Sequence, residues 1–182
     1  MIRRLPDCLQ TERLVLREPR AADARVLFET YTQDPEVAHF TTWKPHAHFF
    51  QTETFISDCI HAWSLGVRLP YVLALHGSEA TPIGMIEARL SGHMVDLGYV
   101  LARRYWGQGL MPEAVCHFVD SVLATPTFFR VQATCDVDNR ASARTLEKAG
   151  FVREARLERF TIHPNMSPEP RPCFLYARCT SA

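Results

Sequence analysis

Apolar and polar residues alternate along this chain in two rhythms, one of period two and one of period three to four, and each change of rhythm marks an element. "RLVLRE", Arg13 to Glu18, alternates with period two and predicts a strand ended by Pro19. Ala22, Val26, Leu27 and Tyr31 then recur at helical spacing, which predicts a helix over Ala21–Gln33 that stops at "DPE". Phe55, Ile56, Cys59, Ile60 and Trp63 share one side of a second helix, with Gly66 as its exit. After Pro70 the shorter period returns. Tyr71–Leu75, Ile83–Leu90 and Met94–Leu101, parted by the turn-rich "HGSEATP" and "SGH", predict an antiparallel meander. From Met111 the apolar positions Ala114, Val115, Phe118, Val119 and Val122 are helical, and Pro112 falls in the first turn, where an N–H is not needed. A strand over Arg130–Val137 follows. A short helix in "DNRASARTLEKAGF" is capped by Asn139 and left through Gly150, with Ala143 and Leu146 facing inward. Two strands, about Val152–Ile162 and Phe174–Arg178, flank "HPNMSPEPRP", which cannot pair in a sheet. Strand, two helices, three strands, helix, strand, helix, two strands: this order predicts a mixed α/β (α+β) sheet with helices on its faces.

Composition narrows the partners. At 182 residues, without internal repeats or a shift of composition, one domain over 1–182 is expected. Twenty basic residues balance twenty acidic ones, so no global field recruits nucleic acid or an anionic membrane surface, and neither is expected as a partner. No run approaches the ~18 apolar residues of a membrane span. The opening "MIRRLPDCLQ" has two arginines with no apolar stretch behind them, which predicts a cytoplasmic protein. Six cysteines show no C-x-x-C pair and read as reduced core thiols. "HAH" at His46–His48 has no further ligand at zinc spacing and H-E-x-x-H is absent, so no metal is expected.

The candidate chemistry lies at "RRYWGQGLMPEA", Arg103 to Ala114, between a strand and a helix. Gly107 and Gly109 there either make a tight turn or turn successive amides toward an anion, with the positive end of the helix dipole behind them. Arg103 and Arg104 stand at the lip, where a cation adds a charge-assisted contact. A dinucleotide fingerprint is excluded because Pro112 stands where its third small residue belongs, and a P-loop because Gly-Lys-Ser/Thr is absent.

"RYWGQG", Arg104 to Gly109, resembles the R/Q-x-x-G-x-G/A motif of the GNAT N-acetyltransferases, and "LGYVLARRYWGQGLMPEA" resembles the branch of ribosomal-protein alanine N-acetyltransferases. A second signature of that branch is met by Asn139, Ser142, Leu146, Lys148, Gly150 and Phe151. The opening "TERLVLREPRAADA" also resembles it, while His39–Gly66 and the stretch beyond Pro164 resemble it least. The resemblance implies a mostly antiparallel sheet of about six or seven strands with about four helices and a splay between two central strands. It implies acetyl-CoA as cosubstrate, with its pyrophosphate on the loop of Arg104, Trp106, Gly107, Gln108, Gly109, Leu110 and Met111. The arm would lie between the strand ending at Val100 and Leu101 and the one beginning near Arg130, touched by Asn139 and Ser142.

The implied reaction is direct attack of a primary amine on the thioester, which needs a base, a donor for the oxyanion and a proton for the thiolate. The main-chain N–H of Leu101, or of Val100, is the candidate donor, worth ~3 kcal/mol. Asp96 is the candidate base, acting through a water, with Glu87 as runner-up; each also reads as a charge on the solvated face of a strand. Ser142 either donates to the thiolate or satisfies a free N–H of its own helix. Tyr99 is a further acid or a packing residue. An acyl-enzyme on Cys135 is disfavoured, because an apolar strand keeps its thiol protonated. The acceptor is a protein N-terminus on the branch resemblance or a small-molecule amine, and the rival class is a non-catalytic acyl-CoA-binding module. Asp34, Glu36 and Glu53 either form an acidic groove for a basic tail or are solvated charges. A monomer or a homodimer is expected.

Overall fold

The computed structural model describes residues 5–180; Arg3 and Arg4 of the opening segment lie outside it. The strands are β1 (Cys8–Gln10), β2 (Leu14–Arg17), β3 (Arg68–Leu75), β4 (Pro82–Ser91), β5 (Met94–Leu101), β6 (Arg130–Asp136), β7 (Val152–Thr161) and β8 (Arg171–Cys179). They form one eight-stranded sheet in the order β1-β2-β3-β4-β5-β6-β8-β7. Every neighbouring pair is antiparallel except β5 and β6.

The helices are α1 (Asp23–Leu27), α2 (Pro35–Ala38), α3 (Phe49–Leu65), α4 (Leu110–Leu123) and α5 (Arg140–Lys148). One sheet face carries α4 and α5, whose Leu110, Met111, Ala114, Val115, Phe118 and Leu146 pack with Val95, Leu97 and Leu101 of β5 and Val131, Ala133 and Cys135 of β6. Against the other face lie α1 and α3, in a second core of Leu27, Tyr31, Ile56 and Cys59 with Val72, Met85 and Ala102, flanked by Val100.

The predicted elements are present with four differences. β8 starts at Arg171 rather than near Phe174, so Arg171 and Pro172 of the "HPNMSPEPRP" stretch do join the sheet, Arg171 facing Thr161; proline lacks only the donor, and the Pro172 carbonyl accepts from Val137 N. β1 has only three residues, too few to show an alternation; it pairs with β2 across a turn in which Leu14 N donates to Thr11 Oγ1. That strand raises the count from the expected six or seven to eight. The helix expected over Ala21–Gln33 loosens after Leu27 into a wide turn, Phe28–Thr32, where Thr30 Oγ1 donates to Val26 O and draws the backbone off its α path. The "DPE" that reads as a stop is also a start. Asp34 accepts from Glu36 N as an N-cap and Pro35 opens α2, which makes five helices rather than four.

Candidate active site

β5 and β6 run parallel for three rungs only: Met94↔Arg130, Val95↔Val131 and Asp96↔Gln132. Beyond them Leu97–Leu101 and Ala133–Asp136 part, leaving a gap in the middle of the sheet. On its other side β5 stays paired with β4 as far as Gly84↔Leu101, and Ala102 N donates to Ile83 O at 2.8 Å. That bond sets the phase of the ladder, because facing pairs in an antiparallel ladder alternate between bonded and non-bonded. Val100 therefore turns its N–H toward Met85 and Leu97 closes the last parallel rung, while Tyr99 and Leu101 turn their N–H groups toward the gap. Trp106 Nε1 occupies the Leu101 carbonyl at 2.7 Å.

The chain leaves β5 through one 3₁₀ turn, Arg103–Tyr105, and enters α4 through Gly107 and Gly109 at φ 75° and 76°. Both are left-handed, a conformation that favours glycine. No amide from Gly107 to Met111 donates to another group of the described residues, and all five are gathered at the positive end of α4. The Leu110 and Met111 side chains are buried beneath them. A brace holds the loop from behind: Arg13 donates from Nη1 to Gln108 O at 3.0 Å and from Nε to Glu113 Oε2 at 2.7 Å, and Glu113 also accepts from Thr11 Oγ1. Partial burial works to raise the Glu113 carboxyl, but the bonds from Thr11 and Arg13 outweigh it and hold it below its ordinary value. Arg103 is taken up by Asp34 at 3.0 Å, so Asp34 is not free to form an acidic groove; Arg104 lies over the Tyr105 ring at the lip.

Across the gap, α5 is capped by Asn139, whose Oδ1 accepts from Ser142 N at 3.0 Å. The Ser142 hydroxyl is thus free of its own backbone and meets Tyr99 Oη at 2.7 Å, joining β5 to α5. Burial raises the Tyr99 phenol well above its ordinary value despite that bond, and pushes the Cys135 thiol up to about 11.

On the opposite face the two candidate bases differ in their neighbours. Glu87 sits between guanidiniums, Arg89 at 2.9 Å and Arg68 at 3.3 Å. Asp96, at the closed end of the gap, accepts one bond, from Gln132 Nε2 at 3.0 Å. The far end of the gap on this face is bridged. The β7–β8 loop sends Asn165 Nδ2 to Ala38 O at 2.7 Å and Trp43 O at 2.8 Å, while His163 lies 3.7 Å from Asp136, the last residue of β6. Trp43 itself packs on the core that includes Val100 and Ala102. The loop therefore joins the ground beside the end of β5 to the end of β6. Asp136, fully buried, is fixed by Arg171 Nε at 2.7 Å; burial works to raise its carboxyl, but Arg171 and the Asp138 amide hold it below the usual range.

Residues 13–152 match the family described as the acetyltransferase (GNAT) domain, a span that takes in the glycine loop, the gap and α5. The chain belongs to the GNAT acetyltransferase family. It is 28% identical over 154 residues to the uncharacterized N-acetyltransferase p20 of Bacillus licheniformis, over 83% of this chain and 85% of that one. Among solved structures it resembles RimL, a ribosomal L7/L12 α-N-protein acetyltransferase in complex with coenzyme A, at TM-score 0.82 and 17% identity over 96% and 97% of the two chains. It resembles to the same TM-score, 0.82, the microcin C7 self-immunity acetyltransferase MccE with acetyl-CoA and AMP, at 18% identity over 93% of each chain. At those identities the likeness speaks for the fold.

In this GNAT chain the motif residues gather round one gap, the loop and Ser142 with Tyr99 on the α4–α5 face, Asp96 and Glu87 on the other. Three features carry no motif: the Arg13–Glu113 brace, the Arg68–Glu87–Arg89 cluster and the Asn165 bridge. The brace and the bridge join residues far apart in sequence, and the cluster brings Arg68 of β3 against Glu87 and Arg89 of β4. No helix among the described residues is long and apolar enough to cross a membrane, and no group of three or more His, Cys, Asp or Glu there is placed to hold a metal ion.

Proposed function

We propose that this GNAT chain moves an acetyl group from acetyl-CoA to a primary amine by direct attack in a ternary complex, in the cytoplasm, and that the acceptor is the N-terminal amine of a protein. The observation that carries the reading is the gap beyond Asp96↔Gln132, opening beside five unpartnered amides. An amide cradle at a helix N-terminus suits a diphosphate, and strand edges facing an opening suit the amide groups of a pantetheine arm. Acetyl-CoA would supply the acetyl group as an activated thioester. Gly107 to Met111 hold the diphosphate, with Arg104 at its edge, and the gap-facing amides of β5 hold the arm.

Distance favours one amide over the other for the acetyl carbonyl. Leu101 lies five residues from Asp96, about 16 Å along a strand, beyond the reach of a base acting directly or through one water. Ser142 stands at the level of Tyr99. Both therefore favour the Tyr99 N–H as the oxyanion donor and leave the Leu101 N–H to the arm; Val100 is turned toward β4. Asp96, with a single hydrogen bond, receives the amine proton through a water, whereas Glu87 already shares its oxygens with two guanidiniums. Ser142 gives its proton to the departing thiolate and Tyr99 orients it. A raised Cys135 thiol is a poor nucleophile, which speaks against an acyl-enzyme.

The likeness to RimL supports a protein N-terminus. The likeness to MccE supports the second reading, a small-molecule amine. The test is to incubate the protein with acetyl-CoA and a panel of Ser- and Ala-initiated peptides, polyamines and amino acids, following free CoA thiol. Release with a peptide and not with its N-blocked form is expected. Tight CoA binding with no release on any member would leave only a binding module.

A further inference from the structure

At the far end of the gap the β4–β5 ladder leaves no room for a side chain on β4, and the residue there is Gly84, facing Leu101. A Cβ on Gly84 would overlap the Val100 carbonyl oxygen and stand 3.1 Å from Leu101 Cα, so the end of β5 lies where an ordinary side chain of β4 would be. The obstacle is backbone, which cannot swing aside. β4 is irregular at the same point: its pairing with β3 jumps from Leu73↔Gly84 to Ala74↔Pro82, leaving Ile83 as an extra residue. A bulge bends its strand and sharpens the local twist.

We infer that Gly84 is a positioning residue for acetyl transfer: it lets the end of β5 settle onto β4, which draws β5 away from β6 and aims the Leu101 amide into the gap. The geometry of one peptide group links the two effects. In a trans peptide the C=O of Val100 and the N–H of Leu101 point in opposite directions. The ladder phase sends the Leu101 N–H away from β4 and into the opening, and the Val100 oxygen of the same peptide takes up the space where Gly84 lacks a side chain, so a Cβ at residue 84 would push that peptide off its aim. Trp106 Nε1, bound to the Leu101 carbonyl, pins the next peptide. Gly84 has no positive φ, so its torsions suit alanine and the whole cost of a methyl there is steric.

The inference rests on the proposed use of the gap by the arm of acetyl-CoA. A control is built into the same pair of strands. A Cβ on Gly98 would meet Arg89 Nη1 at 3.3 Å, the mobile tip of a side chain, and no backbone. CoA binding by calorimetry, at a temperature where thermal scans show every variant folded, reads the effect. Gly84→Ala should weaken CoA about tenfold or more and lower the acetyl-transfer rate, Gly84→Ser likewise, whereas Gly98→Ala should leave CoA affinity within about twofold. A Gly84→Ala protein that melts lower but binds CoA as tightly as the parent would reduce Gly84 to a packing role and overturn the inference. Should Gly84→Ala not fold, hydrogen exchange of the parent decides: CoA should protect the amides of Leu101 and Tyr99 and leave Val100 unchanged, and protection of Val100 instead would overturn it. A parent that does not bind CoA defeats the proposed function itself, which keeps the two failures apart.

Discussion

Gly109 carries the helix entry at φ 76°, so a β-branched residue there pays twice, in backbone strain and in a side chain set among the free amides. Gly109→Val is expected to weaken CoA binding by tenfold or more, roughly the effect of 1.4 kcal/mol; calorimetry with unchanged affinity would remove the amide cradle from the mechanism. Asp96 has one partner and Glu87 has two cations. Asp96→Ala should lower the rate by about 10²- to 10⁴-fold with CoA affinity intact, and Glu87→Ala should cost less. The reverse order in steady-state assays would move the base to Glu87. Glu113 gives a pH signature. A carboxyl held low by folding stabilises the fold above its ordinary titration near pH 4.3, and that contribution fades as pH falls through the lower, folded value. Thermal scans of the parent and Glu113→Gln should differ by a constant amount above about pH 5 and converge in acid; curves that stay parallel down to pH 3 would show that Glu113 titrates no differently once folded.

Among elements, the β7–β8 loop matters most, because proline keeps it out of the sheet and Asn165 ties it to the segment after α2. Asn165 donates both of its bonds from one amide nitrogen. In Asn165→Asp an acceptor-only carboxylate faces two carbonyls, which is repulsive. Hydrogen exchange over residues 38–46 should speed up markedly in that variant while residues 107–113 stay as protected as before; uniform protection would mean the bridge holds nothing. The legible and illegible parts of the sequence divide at this scale. β5, α4 and α5 could be placed because period, proline and capping residues are local signals, and Asn139 does cap α5. Asp34 was hidden because a stop and an N-cap are written with the same residues. The bridge was hidden because it joins His163 and Asn165 to Thr41, Ala38 and Trp43 through backbone carbonyls, which carry no sequence signature. Glu87 looked like Asp96 because arginines two residues away and on the next strand become neighbours only when the register is known.

At the scale of the molecule, the sheet has two differently furnished sides. The face of α4 and α5 bears the glycine loop, Ser142 and Tyr99; the other bears Asp96, Gln132 and the bridge. The gap joins the two sides, and on the proposed reading donor and acceptor would approach from opposite faces and meet inside the sheet. A neutral chain suits that plan, since no global field need steer a partner to either side.

The three-rung stretch between β5 and β6 also makes a short seam between two leaves, one of five strands and one of three. Parallel pairing is slightly the weaker kind per residue, and here it is brief. A molecule lodged in the cleft would stitch the leaves together. Coenzyme at a hundred times its dissociation constant should add ~2.7 kcal/mol to stability, seen as a higher melting temperature. Exchange should slow in Tyr99 and Thr134 alike, whose amides face the cleft from its two sides. Slowing confined to one leaf would mean that the ligand rests on an edge instead of fastening the two.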